Sequence, residues 1–362
     1  MIDAVTTFLR ERAPDPAPVT ILQPADPFLE TVGEDLRRRI FITESADGAL
    51  KCLRPEFTIP ICLNHIANDV SAGRYAYGGT VFRQSREGAS EFSQAGLEDL
   101  GNDNVVDADV QCLNDMLEAL RLCGEPECRI TLGDQQLFAV VVTSLGLPPT
   151  LAERLVRSFG APGVLANQIN NLAAGNADLP SGRGLQELID KADEPALIDK
   201  IYSMMEKAGL PPKSGRSPQD IARRMIEKAA EANFKLAPQQ VLMLQEFLAI
   251  RSPLDTAEDE LVIFANNHGV DLGDALETFS SRLKELRAQD CIAENVTFSA
   301  AFGRKLDYYT GLLFEAHRKG EKKALAGGGR YDRLCTLLGS TNPIPAVGFS
   351  ISLDRLTEGA NT

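Results

Sequence analysis

Alternating polar and apolar residues predict short strands in two separate parts of the chain. In the first part the pattern covers residues 51–53, 75–82 and 91–100. A turn-forming segment at residues 87–90 indicates that the second and third of these strands form a hairpin. In the second part the pattern covers residues 296–302, 306–316, 323–326 and 346–351.

Apolar residues at helical spacing lie between these two groups of strands. Val110, Leu113, Leu117 and Leu120 recur every three or four residues, which predicts a helix with one buried face. Helical patterns continue through residues 134–290, interrupted near 175–184 and 209–217. We therefore expect an α+β fold in which residues 1–133 and 291–362 form two halves of one antiparallel sheet flanked by helices, with residues 134–290 as a mainly helical insertion.

Composition and charge exclude several classes of protein. Hydrophobic residues make up 44% and charged residues 24% of the 362 residues, values typical of a globular protein. The longest apolar run, residues 137–142, is far too short to cross a bilayer, and the first residues lack a secretory signal, so we expect a cytoplasmic protein. The net charge of −14 argues against nucleic-acid binding. The seven cysteines are interpreted as reduced thiols, and neither a metal nor a cofactor is expected.

The predicted strand at residues 91–100 places several polar side chains on one face. Phe92, Gln94, Gly96 and Glu98 alternate along it, so their side chains point to the same side. A glycine between a glutamine and a glutamate leaves space for a small polar ligand to approach the sheet. The alternative is that this face is simply exposed to solvent.

Two segments in the second part of the chain are also candidates for a binding site. In the segment at 303–316, strand alternation would point Tyr309 toward the cavity of Glu98 and pack Tyr308 behind it, although both could be core tyrosines. The glycines at 327–329 are expected to precede a short helix beginning near Tyr331, where the backbone could approach a ligand or make a tight connection. This segment matches neither a P-loop nor a dinucleotide-binding fingerprint.

Taken in chain order, six motifs resemble the core of histidyl-tRNA synthetases. They are LRPEFTIPI at 53–61, YGGTVFRQS at 77–85, EFSQAGLEDLG at 91–101, RKLDYYTGLLFEA at 304–316, GGGRYDRL at 327–334 and PAVGFSISLDRL at 345–356. The resemblance implies a class II aminoacyl-tRNA synthetase-like fold with a pocket for histidine.

The same resemblance implies a role for each pocket residue. Glu56, Thr58 and Gln94 would hold the α-ammonium group of histidine. Glu98 and Tyr309 would bracket the imidazole, while Arg83 and Arg304 would face the carboxylate. Tyr331 would line the ring end of the pocket, with Tyr308 beside it. No residue is assigned a catalytic role.

Departures from the synthetase pattern change the functional expectation. Only seven residues follow Arg355, so an anticodon-binding domain is expected to be missing. The segment between Arg83 and Gln94 is short and acidic, and Lys305 and Ser352 stand where the synthetase pattern prefers glycine. The sequence therefore resembles the regulatory subunits of ATP phosphoribosyltransferase, the enzyme of the first step of histidine biosynthesis.

This second resemblance implies a non-catalytic protein that activates a short-form catalytic subunit and transmits feedback inhibition by histidine. It also implies a homodimer core within a hetero-oligomer, with no nucleic-acid or membrane partner. Two alternatives remain open. One is a histidyl-tRNA synthetase that lacks its anticodon-binding domain, and the other is a free-standing histidine-binding or amino-acid-transferring paralogue.

Overall fold

A computed structural model describes residues 2–15, 18–85, 88–175, 185–191, 193–207, 217–288, 296–304 and 308–358. By their contacts the residues fall into two compact units. Unit 1 contains Met1–Val141, Phe159–Ala161 and Glu246–Thr362, and unit 2 contains Val142–Ser158 and Pro162–Gln245. Lys305 and Cys291 lie outside the described residues, as do most of the predicted loops near 175–184 and 209–217.

The strands of the described residues all belong to unit 1. They are β1 (Leu22–Pro24), β2 (Ile42–Glu44), β3 (Leu50–Leu53), β4 (Gly73–Phe82), β5 (Glu91–Leu100), β6 (Arg129–Asp134), β7 (Arg251–Pro253), β8 (Val296–Ser299), β9 (Leu312–His317), β10 (Ala324–Arg330) and β11 (Ala346–Ser352). Three of them form a small sheet in the order β1-β3-β2. The other eight described strands form one sheet in the order β4-β5-β11-β10-β9-β6-β8-β7. Its strand pairs are antiparallel except for β6 and β8.

Helices cover the sheet of unit 1 and build unit 2. They are α1 (Ile2–Arg12), α2 (Asp26–Thr31), α3 (Glu34–Arg37), α4 (Thr58–Ala67), α5 (Val105–Leu122), α6 (Gln135–Ser144), α7 (Pro149–Arg157), α8 (Pro162–Ala174), α9 (Gln186–Asp190), α10 (Glu194–Lys207), α11 (Pro218–Asn233), α12 (Pro238–Ala249), a 3-10 turn (Leu254–Thr256), α13 (Ala257–His268), α14 (Gly273–Arg287), α15 (Leu334–Leu337) and α16 (Leu353–Glu358). In unit 2, Leu185, Leu197 and Ile201 pack in the apolar core of α9, α10 and α11. No helix of the described residues is both long and apolar enough to span a membrane.

The predicted hairpin and the predicted helix after it are confirmed. Strands β4 and β5 pair antiparallel, with Tyr77 opposite Gly96. In α5, Val110, Leu113 and Leu120 are buried and Leu117 is half-buried, as their spacing requires. The helix packs on β5, β10 and β11, which is why both faces of the second half of β5 are buried.

Two local predictions in the second part of the chain are wrong. Strand β9 begins only at Leu312, because the preceding segment bends: the amide of Thr310 donates to the carbonyl of Arg330, and that of Gln135 donates to the carbonyl of Gly311. The glycines at 327–329 lie within β10 and not at the start of a helix, since β9 and β11 pair with them on both sides. The short helix expected to begin near Tyr331 is α15, which begins at Leu334. Glycine is needed at Gly328 because a Cβ there would overlap the carbonyl oxygen of Gly348.

The compact units begin and end at different residues from the predicted helical insertion. Residues 246–288 belong to unit 1, because β7 pairs with β8 at the edge of the large sheet. Helix α14 is joined to the same unit by Arg282, which forms ion pairs with Asp109 and Asp134.

The cysteines of the described residues are buried free thiols, as expected for reduced side chains. They are Cys52, Cys62, Cys112, Cys123, Cys128 and Cys335. Within the part of the chain that the structure describes, no group of three or more His, Cys, Asp or Glu side chains is arranged to hold a metal ion.

Candidate functional site

A cavity of about 1150 Å³ lies in unit 1 against β5, β10 and β11. The structure brings all nine sequence-predicted site residues to its wall. They are Glu56, Thr58, Arg83, Gln94, Glu98, Arg304, Tyr308, Tyr309 and Tyr331. The contacts among them show which groups are available to a ligand.

Glu98 is the most deeply enclosed carboxyl of the cavity, at 1% exposure. The hydroxyl of Thr58 donates to its Oε1 at 2.7 Å, and the hydroxyl of Tyr331 donates to its Oε2. Burial raises the pKa of Glu98 to about 8, although the two hydroxyl donors act in the opposite direction. Gly348 lies opposite in β11, where any Cβ would overlap Oε2. The carboxyl is therefore held in one position and lies close to its point of titration at neutral pH.

Glu56 stands at the start of α4 and accepts hydrogen bonds from the helix backbone. Its Oε2 accepts from the amide of Thr58 at 2.8 Å, and its Oε1 accepts from the amide of Ile59 at 2.9 Å. Burial raises the pKa of Glu56, while these hydrogen bonds and the charge of Arg83 act against that shift. One residue thus caps a helix and presents a carboxylate to the cavity.

Two guanidinium groups face the cavity in different surroundings. Arg83 donates from Nε to the carbonyl of Pro55 at 2.8 Å and lies 5.2 Å from the ring centroid of Phe92. Burial lowers the pKa of Arg83, and the nearby Glu56 carboxylate opposes this effect. Arg304 lies 5.9 Å from the ring centroid of Tyr309. Both side chains keep N–H groups that could bind an anion.

Tyr308 and Tyr309 both line the cavity, so the expectation that Tyr308 packs behind Tyr309 is not met. That expectation assumed a regular strand, but these residues precede β9 in the bent segment. Their ring centroids lie 5.2 Å apart, and Tyr308 meets Tyr331 edge to face at 5.7 Å. Burial raises the pKa of Tyr309 to about 12, so its hydroxyl stays protonated.

The sequence analysis missed Tyr77 as a wall of the cavity. Its hydroxyl donates to the carbonyl of Phe349 at 3.0 Å, and its ring stacks on Phe57 at 4.6 Å. Tyr77 occupies the space above Gly96, where a Cβ would lie 2.6 Å from the tyrosine Cζ. The gap between Gln94 and Glu98 is therefore filled from the neighbouring strand. Pairing the hairpin residue by residue would have shown that these two positions face each other.

Three further charged side chains that line the cavity form hydrogen bonds with the protein backbone. Arg355 donates to the carbonyl of Ala324, and Asp354 accepts from the amide of Ser93 at 2.7 Å. Arg39 donates from Nε to the carbonyl of Gln84 at 3.0 Å.

Comparison with known families gives the same relationship as the motifs. The family model described as histidyl-tRNA synthetase matches residues 18–210 and 203–356. A protein of Mesorhizobium japonicum named "ATP phosphoribosyltransferase regulatory subunit" is 47% identical over 355 residues, which cover 97% of this chain and 95% of the relative. A protein of Agrobacterium fabrum with the same name is 46% identical over 338 residues, 93% of this chain and 90% of the relative.

Solved structures show the same fold. A Bacillus halodurans protein titled "ATP phosphoribosyltransferase regulatory subunit/histidyl-tRNA synthetase" superposes with a TM-score of 0.68 at 20% identity, covering all of this chain and 78% of the other. The histidyl-tRNA synthetase of Nostoc superposes with a TM-score of 0.63 at 17% identity, covering 99% of this chain and 70% of the other. The class II synthetase-like fold is thus confirmed.

Proposed function

The chain belongs to the family of ATP phosphoribosyltransferase regulatory subunits, and we propose that its inner cavity binds free histidine as the effector of that enzyme. Membership of the family implies a catalytic partner subunit. The observation that supports the proposal is that all nine side chains which the resemblance assigns to a histidine pocket line one cavity. They combine carboxyl, guanidinium and aromatic groups, which is what an amino acid with an imidazole side chain requires.

The resemblance to histidyl-tRNA synthetases implies how histidine would lie. Glu56, Thr58 and Gln94 would hold the α-ammonium group, and Arg83 and Arg304 would bind the carboxylate through charge-assisted hydrogen bonds. Glu98 would accept a hydrogen bond from an imidazole N–H, with Tyr309 on the other side of the ring and Tyr308 and Tyr331 at its end. Thr58 and Tyr331 already orient Glu98 for that contact.

We further propose that the chain performs no aminoacylation of its own. The segment between Arg83 and Gln94 supports this, because its one arginine and two glutamates offer little positive charge to a triphosphate. The alternative is that the chain ligates histidine to tRNA, and the match to the histidyl-tRNA synthetase family model favours this alternative. Histidine-dependent exchange of pyrophosphate into ATP by the purified chain would establish that alternative.

The assembly and its location complete the proposal. We expect a cytoplasmic homodimer core that joins the short-form catalytic subunit in a hetero-oligomer. Light scattering on the isolated chain should give twice its 39.3 kDa mass, and a pull-down should recover the catalytic subunit.

The decisive experiment tests whether histidine acts on the enzyme through this cavity. The chain is mixed with the short-form catalytic subunit, and phosphoribosyl-ATP formation is followed across a histidine titration. We expect the regulatory chain to be required for full activity and histidine to inhibit the mixture. In Glu98→Ala the histidine concentration for half inhibition should rise about tenfold, because a buried imidazole N–H left without its acceptor costs about 1–3 kcal/mol.

A matched control separates loss of binding from a general effect of removing a carboxylate. Glu153 is exposed on α7 and forms an ion pair with Arg157 one helical turn away. Glu153→Ala should therefore leave the inhibition curve unchanged. Unaltered histidine affinity of Glu98→Ala in calorimetry would show that the pocket has been assigned to the wrong residues.

A further inference from the structure

The carboxylate-binding candidate Arg304 already has a counter-ion within the protein. Its Nη1 lies 3.4 Å from Oε1 of Glu315, a residue of β9 that also lines the cavity. The same Nη1 donates to the carbonyl of Phe314 at 3.3 Å. Burial works against the charge of Arg304, whereas the nearby Glu315 carboxylate acts to raise its pKa. The guanidinium is thus stabilised before any ligand arrives.

The glycine-rich strand makes this ion pair possible. Gly327 of β10 lies directly opposite Glu315 of β9. A Cβ on Gly327 would overlap the Arg304 guanidinium and would come within 2.7 Å of Cγ of Glu315. Arg304 therefore reaches Glu315 across the space that the missing side chain leaves.

Glu315 has a second partner on the side away from Arg304. Its Oε2 lies 3.2 Å from Nε2 of His317, two residues further along the same face of β9. The carboxylate can keep this contact when Arg304 turns toward another anion. The side chains of Arg304 and Glu315 are only partly exposed, at 18% and 25%, so water screens the ion pair between them weakly.

We propose that Glu315 is a specificity-determining residue, the internal counter-ion that a ligand carboxylate must displace from Arg304. This inference rests on the proposed function, since it concerns how the same cavity recognises histidine. A ligand carboxylate exchanges one ion pair for another and also approaches a second negative charge, which reduces its net gain. A ligand that lacks the carboxylate leaves the Arg304–Glu315 pair intact. Glu315 therefore limits the preference of the cavity for ligands that carry a carboxylate.

The test compares two ligands that differ in this one group. Calorimetry measures the affinity of the full chain for histidine and for histidinol, which keeps the imidazole and the ammonium but replaces the carboxylate with a hydroxymethyl group. In Glu315→Gln, which preserves the shape of the side chain, the ratio of the histidinol to the histidine dissociation constant should rise about tenfold over wild type. Glu315→Asp, whose shorter side chain withdraws from Arg304, should move the ratio the same way by less.

The control is Glu321→Gln, which removes an exposed carboxylate that pairs with Arg318 rather than Arg304. Its ratio should equal that of wild type. An unchanged or smaller ratio in Glu315→Gln, with thermal unfolding showing a folded protein, would overturn the inference while leaving histidine binding intact. A wild-type chain that binds neither ligand would instead overturn the proposed function, and the inference with it.

Discussion

At the scale of single residues, Glu98 is a carboxyl group that is 1% exposed and whose hydrogen-bond partners among the described residues are neutral. Glu98 is satisfied by two hydroxyl donors, those of Thr58 and Tyr331. Neutral donors compensate a negative charge less than a guanidinium would, so burial dominates and the pKa rises to about 8. The protonation state of this group is therefore linked to folding.

The linkage predicts a pH-dependent stability. The unfolded chain releases the Glu98 proton near 4.5, whereas the folded chain keeps it up to about pH 8. The free energy that this raised pKa contributes to folding is therefore fully present below pH 4.5 and is lost as the pH rises through 8. We expect the Tm of wild type minus that of Glu98→Gln to fall steadily between pH 5 and pH 8 and then to level off. Thermal unfolding followed by circular dichroism measures it, and a difference that stays constant with pH would contradict the assignment.

At the scale of secondary structure, the first turn of α4 is stabilised by the side chain of the preceding Glu56. Glu56 accepts from the amides of Thr58 and Ile59, two of the backbone donors that a helix leaves without partners at its start. A negative charge at this end also interacts favourably with the helix dipole. The pocket residue and the helix that carries Thr58 are thus placed by the same contact.

This dual role predicts that changing Glu56 affects stability as well as binding. Glu56→Ala should lower the free energy of unfolding by about 0.5–2 kcal/mol, the usual range for the loss of a helix cap. Urea unfolding of the ligand-free chain measures the effect. The exposed Glu187, which pairs with Lys191 on the surface, provides the control, and its change to Ala should alter stability by less than about 0.5 kcal/mol. Equal stability of the two variants would show that the cap contributes nothing.

At the scale of the whole molecule, a buried ionic cluster joins elements that are far apart in sequence. Asp109 of α5 accepts from Nε of Arg330 at 2.8 Å and pairs with Nε of Arg282 at 2.6 Å. Arg282 of α14 also reaches Asp134 at 2.9 Å. Arg330 in turn contacts the bent segment before β9, since its side-chain carbons cover Gly311. The cluster connects α5, α14 and β10 to the segment that carries the pocket tyrosines.

Breaking this cluster should be far more harmful than breaking a surface pair. Arg282→Met leaves two buried carboxylates short of a partner, and we expect a loss of about 3–5 kcal/mol in the free energy of unfolding. Arg157→Met removes an exposed partner of Glu153 and should cost at most about 0.5 kcal/mol. Denaturant midpoints of the two variants against wild type measure the difference. Similar midpoints for both would mean that the cluster is dispensable for stability.

The amino-acid sequence by itself determined the elements that depend on neighbouring residues. The alternation in residues 75–100 and the helical spacing from Val110 to Leu120 report which face is buried, and both elements form as expected. The six motifs also named the residues that line the cavity, because residue types and their order carry over through family resemblance. Glu98 and Gln94 needed only the two-residue period of a strand to be placed on one face.

The tertiary structure decided whatever depends on contacts between distant segments. The glycines at 327–329 could not be recognised as a central strand, because their role is to let β9, β11 and Arg304 approach. Tyr308 faces the cavity because the carbonyl of Arg330 bends the chain before β9. Arg304 and Glu315 are eleven positions apart with no shared periodicity, so only the fold could reveal that the pocket holds its own counter-ion.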